Sequence, residues 1–279
     1  MIEATDRTRR RDDDPVSFVH RYEHPADREV VALIAALLAF GNVKAIRTSI
    51  GRALERLGDG PAHAIDTLEP SEIARRLEGF VHRVYRGEDL ARVLSGAGRL
   101  RREHGSIGEA IVHFAADDSI EIPGALASRA RLVRVLAGLG DALRGPPPHR
   151  SGLVHLVPDV RRGSACKRLL LYLRWMCRAE DGIDLGLSRF PASELVIPLD
   201  THVHRIARNL DLTRRPDASM KTAVEITEAL SRFDANDPVK YDFAICHLGV
   251  SRQCPSRKDP ERCGSCVVRA VCRHWRARR

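Results

Sequence analysis

Two side chains in this sequence are of the right types to do chemistry together. Lys167 lies in SACKRLLLYLRWMCR (164–178) and Asp200 in PLDTHVHRIARNLDL (198–212). The first segment carries Leu170, Leu173 and Cys177 on one helical stripe, and Ser164 is placed to cap its start. Lys167 then falls in the first turn, where the helix dipole and Arg168 disfavour the ammonium form and partial burial adds to that. An amine so placed is a candidate nucleophile for Schiff-base chemistry; a solvated lysine on an amphipathic helix is the plainer alternative. Asp200 precedes a pattern that sets Val203, Ile206, Ala207 and Leu210 on one face. It is either only the cap of that helix or a carboxylate held out for chemistry, and at a helix N-terminus it stays ionised. An amine and an ionised carboxylate are matched for breaking an N-glycosidic bond: the amine attacks the sugar carbon while the carboxylate stabilises positive charge on the sugar.

A second reactive group closes the chain. Cys254, Cys263, Cys266 and Cys272 read C-x8-C-x2-C-x5-C, a spacing at which four thiolates reach one metal centre. A single CxxC with outer partners at unequal distances favours a [4Fe–4S] cluster, with zinc as the alternative. Cys166, Cys177 and Cys246 lie on helical patterns and read as small buried hydrophobes.

The elements that must hold these groups are helical. Long runs rich in Ala, Leu, Arg and Glu dominate, and no stretch sustains period-two alternation, so the fold class is all-α. Six helical segments come first, at 26–40, 43–58, 70–80, 87–105, 106–116 and 128–145, and compose one compact lobe. GPPPHRSG (145–152) breaks the pattern. Further helices follow from Ser164, from Thr201 and over 220–233, before YDFAICHLGV and the cysteine tail. The division expected is a lead over 1–25 packing on the C-terminal part, a first lobe over 26–194 and a second over 195–279. Within the lead, MIEATDRTRRRDDD has no apolar core and reads as a polar, poorly ordered stretch of a cytoplasmic protein.

Lys plus Arg exceed Asp plus Glu by 46 to 37, a formal charge of +9, much of it in RAVCRHWRARR at the end. That balance favours a polyanionic partner through counterion release. No apolar run approaches the roughly 20 residues that span a bilayer, so a membrane is not among the expected partners.

Taken together these residues resemble the helix-hairpin-helix DNA glycosylase superfamily, the group of endonuclease III. PLDTHVHRIARNLDL is similar to its signature of an aspartate opening a helix, and CPSRKDPERCGSCVVRAVC resembles its [4Fe–4S] loop, with a longer first spacing. The chain is most similar to a bacterial branch with a GSACKRLLLYLRWMCR-type segment. Its long lysine-to-aspartate separation resembles that of archaeal 8-oxoguanine glycosylases.

The resemblance implies a six-helix barrel, a second lobe carrying the cluster loop 254–272, a cleft between them and a hairpin near 153–164. It implies Asp200 as the catalytic aspartate, Lys167 as the nucleophile, and Cys254, Cys263, Cys266 and Cys272 as cluster ligands. Asn42 lies where related enzymes place a residue that fills the gap left by a flipped base; capping a helix is its other role. Arg161, Arg162, Gly163 and Ser164 belong to the hairpin that meets DNA phosphates. That hairpin departs from the pattern, with Asp159 in place of glycine, and Arg161 and Arg162 compensate electrostatically. Tyr172 and Trp175 line the base pocket or pack in the core.

The expected activity is therefore excision of a damaged base from duplex DNA by a monomeric, nucleoid-associated glycosylase with strand-cleaving lyase activity, an oxidised purine such as 8-oxoguanine being the first candidate. The rivals are a glycosylase that uses Asp200 and water, a non-catalytic iron–sulfur DNA-binding module, and a zinc-stabilised interaction domain.

Overall fold

Helix α2 (Pro25–Leu38) is buried on every side from Glu29 to Leu38, so the rest of the N-terminal half is arranged around it. The computed structural model describes residues 7–250, 254–255 and 257–276. It is all-α except for one two-stranded hairpin, β1 (Val81–His82) and β2 (Tyr85–Arg86), which period-two patterning is too short to reveal.

Around α2 pack the 3-10 turn Pro15–Arg21, α3 (Val43–Leu57), α4 (Pro61–Thr67) and α10 (Lys167–Cys177). Glu29 is a buried acid of α2, 3% exposed. Its carboxylate accepts from the backbone N–H groups of Ile107 (3.1 Å) and Gly108 (3.3 Å), which open α7 (Ile107–Ala116), and pairs with Arg101. Burial pushes the Glu29 carboxyl up, and Arg101 with the two amides draws it back.

α5 (Pro70–Arg76), α6 (Gly87–His104) and α8 (Ala130–Arg144) complete this half. α6 runs close to its neighbours because it carries glycines at the contacts. A Cβ at Gly96 would lie 2.5 Å from the Ala142 carbonyl oxygen of α8, and one at Gly98 2.1 Å from that of Ile65 in α4.

The lead differs from expectation. Residues 1–6 lie outside the described part, but Arg7–Asp13 forms helix α1. Arg11 donates to the Gly182 carbonyl (3.1 Å), and Arg47 of α3 donates to the Asp12 carbonyl and the Ser17 hydroxyl, both at 2.8 Å. The lead packs mostly on α2 and α3, with Asp14 reaching His247 of α13 (Asp242–Val250) at 3.4 Å.

A second correction concerns Ser164. After α9 (Ser151–Leu156) the chain makes a 3-10 turn at Val160–Arg162, turns at Gly163 (φ 81°) and starts α10 only at Lys167. Cys166, not Ser164, holds the cap position, and its left-handed backbone (φ 45°, ψ 37°) stops the helix from extending backwards. Ser164 instead forms a β-bridge to Ser219, and its hydroxyl accepts from the Cys166 N–H at 3.2 Å.

The remaining helices are α11 (Thr201–Asn209) and α12 (Met220–Ser231). α11 and α13 touch closely: a Cβ at Gly249 would lie 2.7 Å from the Cβ of His202. Among the described residues no helix is long and apolar enough to cross a membrane.

Candidate active site

Asp200 is both a cap and a presented carboxylate. Its Oδ1 accepts from the backbone N–H groups of His202 (2.9 Å) and Val203 (2.8 Å), which fixes the side chain at the start of α11. Its Oδ2 stands 3.8 Å from Nζ of Lys167, the first residue of α10. The two side chains retain 28% and 25% exposure, enough for a ligand to reach both.

Both line a cavity of about 640 Å³. Its α10 wall is Lys167, Leu171 and Trp175, four residues apart and hence one above another on the helix. Asn42 is at the α3 side, Asp242, Phe243 and Cys246 come from α13, and Arg10, Asp13 and Asp14 come from the N-terminal segment. The volume is that of a small-molecule pocket.

Beneath the cavity lies a buried ionic network that the sequence reading missed. Arg174 donates to Asp242 Oδ2 (2.6 Å) and meets Asp184 (3.1 Å), while Arg178 pairs with Asp184 and with Asp237 (2.7 Å). Asp242 is 3% exposed, and burial pushes its carboxyl up against the pull of Arg174. Cys246, expected as a core filler, is only partly buried and borders the cavity; desolvation, with Asp200 and Asp242 nearby, pushes its thiol up and keeps it protonated. Cys166 and Cys177 are buried as expected, each thiol pushed up to about 12.

The other expected site residues divide. Trp175 is buried in the core and borders the cavity, whereas Tyr172 is fully buried away from it, and among the described residues its hydroxyl has no hydrogen-bond partner. Asn42 caps α3, accepting from the Ala45 N–H at 2.9 Å, and also borders the cavity. Arg161 is held by Asp159 (2.8 Å) and Asp141 (2.6 Å), so its charge is already matched. Arg162 and Gly163 are exposed, and among the described residues the Arg162 side chain makes no hydrogen bond or ion pair.

All four tail cysteines line one smaller pocket together with Asn209, Lys258, Arg269 and Trp275. Asn209 Nδ2 donates to the Cys254 sulfur (3.7 Å), and the Lys258 and Arg269 cations each lie 4.2 Å from the Trp275 ring centre. Among the described residues no three His, Cys, Asp or Glu side chains are grouped so as to hold a single metal ion.

Of the residues missed, Asp14 left the clearest signal: an acid directly before Pro15 is a cap motif, and its Oδ1 accepts from the Val16 N–H at 3.0 Å. Asp242 left a weaker one, a lone acid inside the apolar run YDFAIC. No curated protein and no solved structure matches the chain. A family model described as a protein of unknown function (DUF2400) matches residues 14–251, which contain Lys167 and Asp200 and stop before Cys254. The chain belongs to the DUF2400 family.

Proposed function

We propose that this protein is a DNA glycosylase with lyase activity that removes a damaged base, an oxidised purine such as 8-oxoguanine in first place, from duplex DNA. The observation that carries the reading is the placement of the Lys167 amine 3.8 Å from a backbone-anchored Asp200 carboxylate at a cavity roomy enough to admit a nucleotide. In this reading the chain forms two helical lobes, a six-helix barrel and a C-terminal lobe, and the duplex lies across the cleft between them.

A base inside the stack is out of reach, so the nucleotide is extruded into the cavity. The Lys167 amine attacks C1′ as the bond to the base breaks and its electron pair leaves with the base. Asp200 Oδ2 stabilises the positive charge that develops on the sugar, its Oδ1 being held by two amides so that the carboxylate does not move. Ring opening gives a Schiff base on Lys167, and β-elimination cuts the strand. Asn42 occupies the space left in the duplex, and Arg162 meets the backbone phosphates. Cys254, Cys263, Cys266 and Cys272 would hold a [4Fe–4S] cluster, for which four thiols around one pocket and the nearby Lys258 and Arg269 cations are a fit. The cluster supplies structural order to the basic tail.

Borohydride trapping with anaerobically purified protein tests the chemistry, on duplexes carrying 8-oxoguanine, uracil, thymine glycol, an alkylated purine or an abasic site. A covalent adduct that vanishes in Lys167→Ala is the expected result. Base release without an adduct assigns the attack to water and Asp200; binding without either product reduces the protein to a DNA-binding module. Iron, sulfide and zinc analysis of the same preparation tests the cluster, and zinc without iron overturns it.

A further inference from the structure

The glycosylase chemistry leaves two charged side chains on the cavity wall unused. Arg10 and Asp13 stand three residues apart on α1, and both line the cavity that holds Lys167 and Asp200. Arg10 is half-buried and Asp13 exposed, and among the described residues neither side chain makes a hydrogen bond or an ion pair. At this spacing on a helix an arginine and an aspartate can pair with each other, yet here they do not.

Their neighbours are engaged. Arg11 donates to the Gly182 carbonyl, Asp14 caps the following turn and meets His247, and Arg47 holds the Asp12 carbonyl. The segment is thus fixed on three sides while it presents an unpaired guanidinium and an unpaired carboxylate at the cavity wall. A half-buried guanidinium without a partner is unfavourable, and a ligand that pairs with Arg10 and also reaches Asp13 relieves this.

The chemistry of the pair specifies the ligand. A guanidinium offers two parallel N–H donors and a carboxylate only acceptors, so together they suit a planar edge on which a carbonyl oxygen adjoins a ring N–H. Lactam and imide bases carry that pattern: 8-oxoguanine, hypoxanthine, uracil and thymine glycol do. Amidine-type bases, adenine and its alkylated forms, reverse it or lack it. Resting on the glycosylase reading above, we propose that Arg10 and Asp13 read the extruded base, and that they select bases with a carbonyl beside an N–H.

An abasic duplex has no base to read, so it separates reading from chemistry. Single-turnover base release is measured on duplexes carrying 8-oxoguanine, hypoxanthine, uracil or 3-methyladenine, and divided by borohydride trapping on the abasic duplex. Arg10→Ala and Asp13→Ala are each expected to lower that ratio roughly tenfold for the preferred base, the effect of one charge-assisted hydrogen bond. Arg10→Lys, which keeps the charge but loses the paired donors, falls between. Asp12→Ala, on the same helix but exposed and off the cavity wall, keeps the wild-type ratio. An unchanged ratio in both alanine variants, or a wild-type preference for 3-methyladenine, overturns this inference and leaves the glycosylase reading standing. A wild-type protein that neither traps the abasic site nor releases any base overturns both.

Discussion

The two ends of α10 meet acids in opposite ways. At its N-terminal end Lys167 and Asp200 are 3.8 Å apart and about a quarter exposed; toward its C-terminal end Arg174 and Arg178 are enclosed by Asp184, Asp237 and Asp242. An ion pair in contact with water contributes roughly 0–1 kcal/mol. Breaking a buried one leaves an uncompensated charge and costs about 3–5 kcal/mol. The helix is therefore fixed at one end by enclosed charges, and carries at the other a pair that contributes little to stability and stays open to the cavity.

This contrast yields a graded series of stability measurements. Asp184→Ala is the largest: Asp184 is fully buried between two arginines, and a loss of about 3–5 kcal/mol in denaturant unfolding is expected. A loss below about 1 kcal/mol would show that Asp237 and Asp242 carry the arginines alone and would erase the contrast. Asp200→Ala comes next, at about 1 kcal/mol, because two backbone donors lose their cap. Asp200→Asn keeps the cap and recovers most of that stability without recovering base release, which separates the two roles of this one side chain. Lys167→Ala is expected to change stability by less than about 1 kcal/mol while abolishing the covalent adduct; a larger loss would mark the lysine as a structural pair.

The smallest effect is one of pH, at the hairpin. Partial burial pushes the Asp159 carboxyl up, but its hydrogen bonds from Arg161 outweigh this and hold it below the ordinary carboxylate value. A folded value below the unfolded one means stability that is present above the ordinary value and lost as pH falls through the lowered one. Wild-type and Asp159→Asn proteins should therefore diverge least in acid and most above about pH 4, where the carboxylate is ionised. Thermal midpoints between pH 2 and 7 check this, and parallel curves would count against the Arg161 pairing.

Much of the site was legible because it is local. The cap at Asp200, the apolar face behind it and the first-turn position of Lys167 depend on residues within a few places of one another, and periodicity reports such relations. Which way α10 is rotated was not legible. Tyr172 and Trp175 are three apart, equally apolar in the sequence and both buried, yet only Trp175 borders the cavity, a difference set by how α10 packs on α2. For the same reason the pairing of Asp184, in AEDGIDLG, was not legible, since its arginine partners lie on α10. The helix start misplaced to Ser164 had a local cause that composition hides, a cysteine in a left-handed conformation.

The contact of Asp14 with His247 joins the residue after α1 to α13, and both residues border the cavity. A polypeptide emerging from its N-terminus has α1 ready first and waits for α13 before that wall can close. Lys167 lies between them in the sequence, on α10. The wall around it is therefore complete only when two segments from opposite ends of the described chain have packed together.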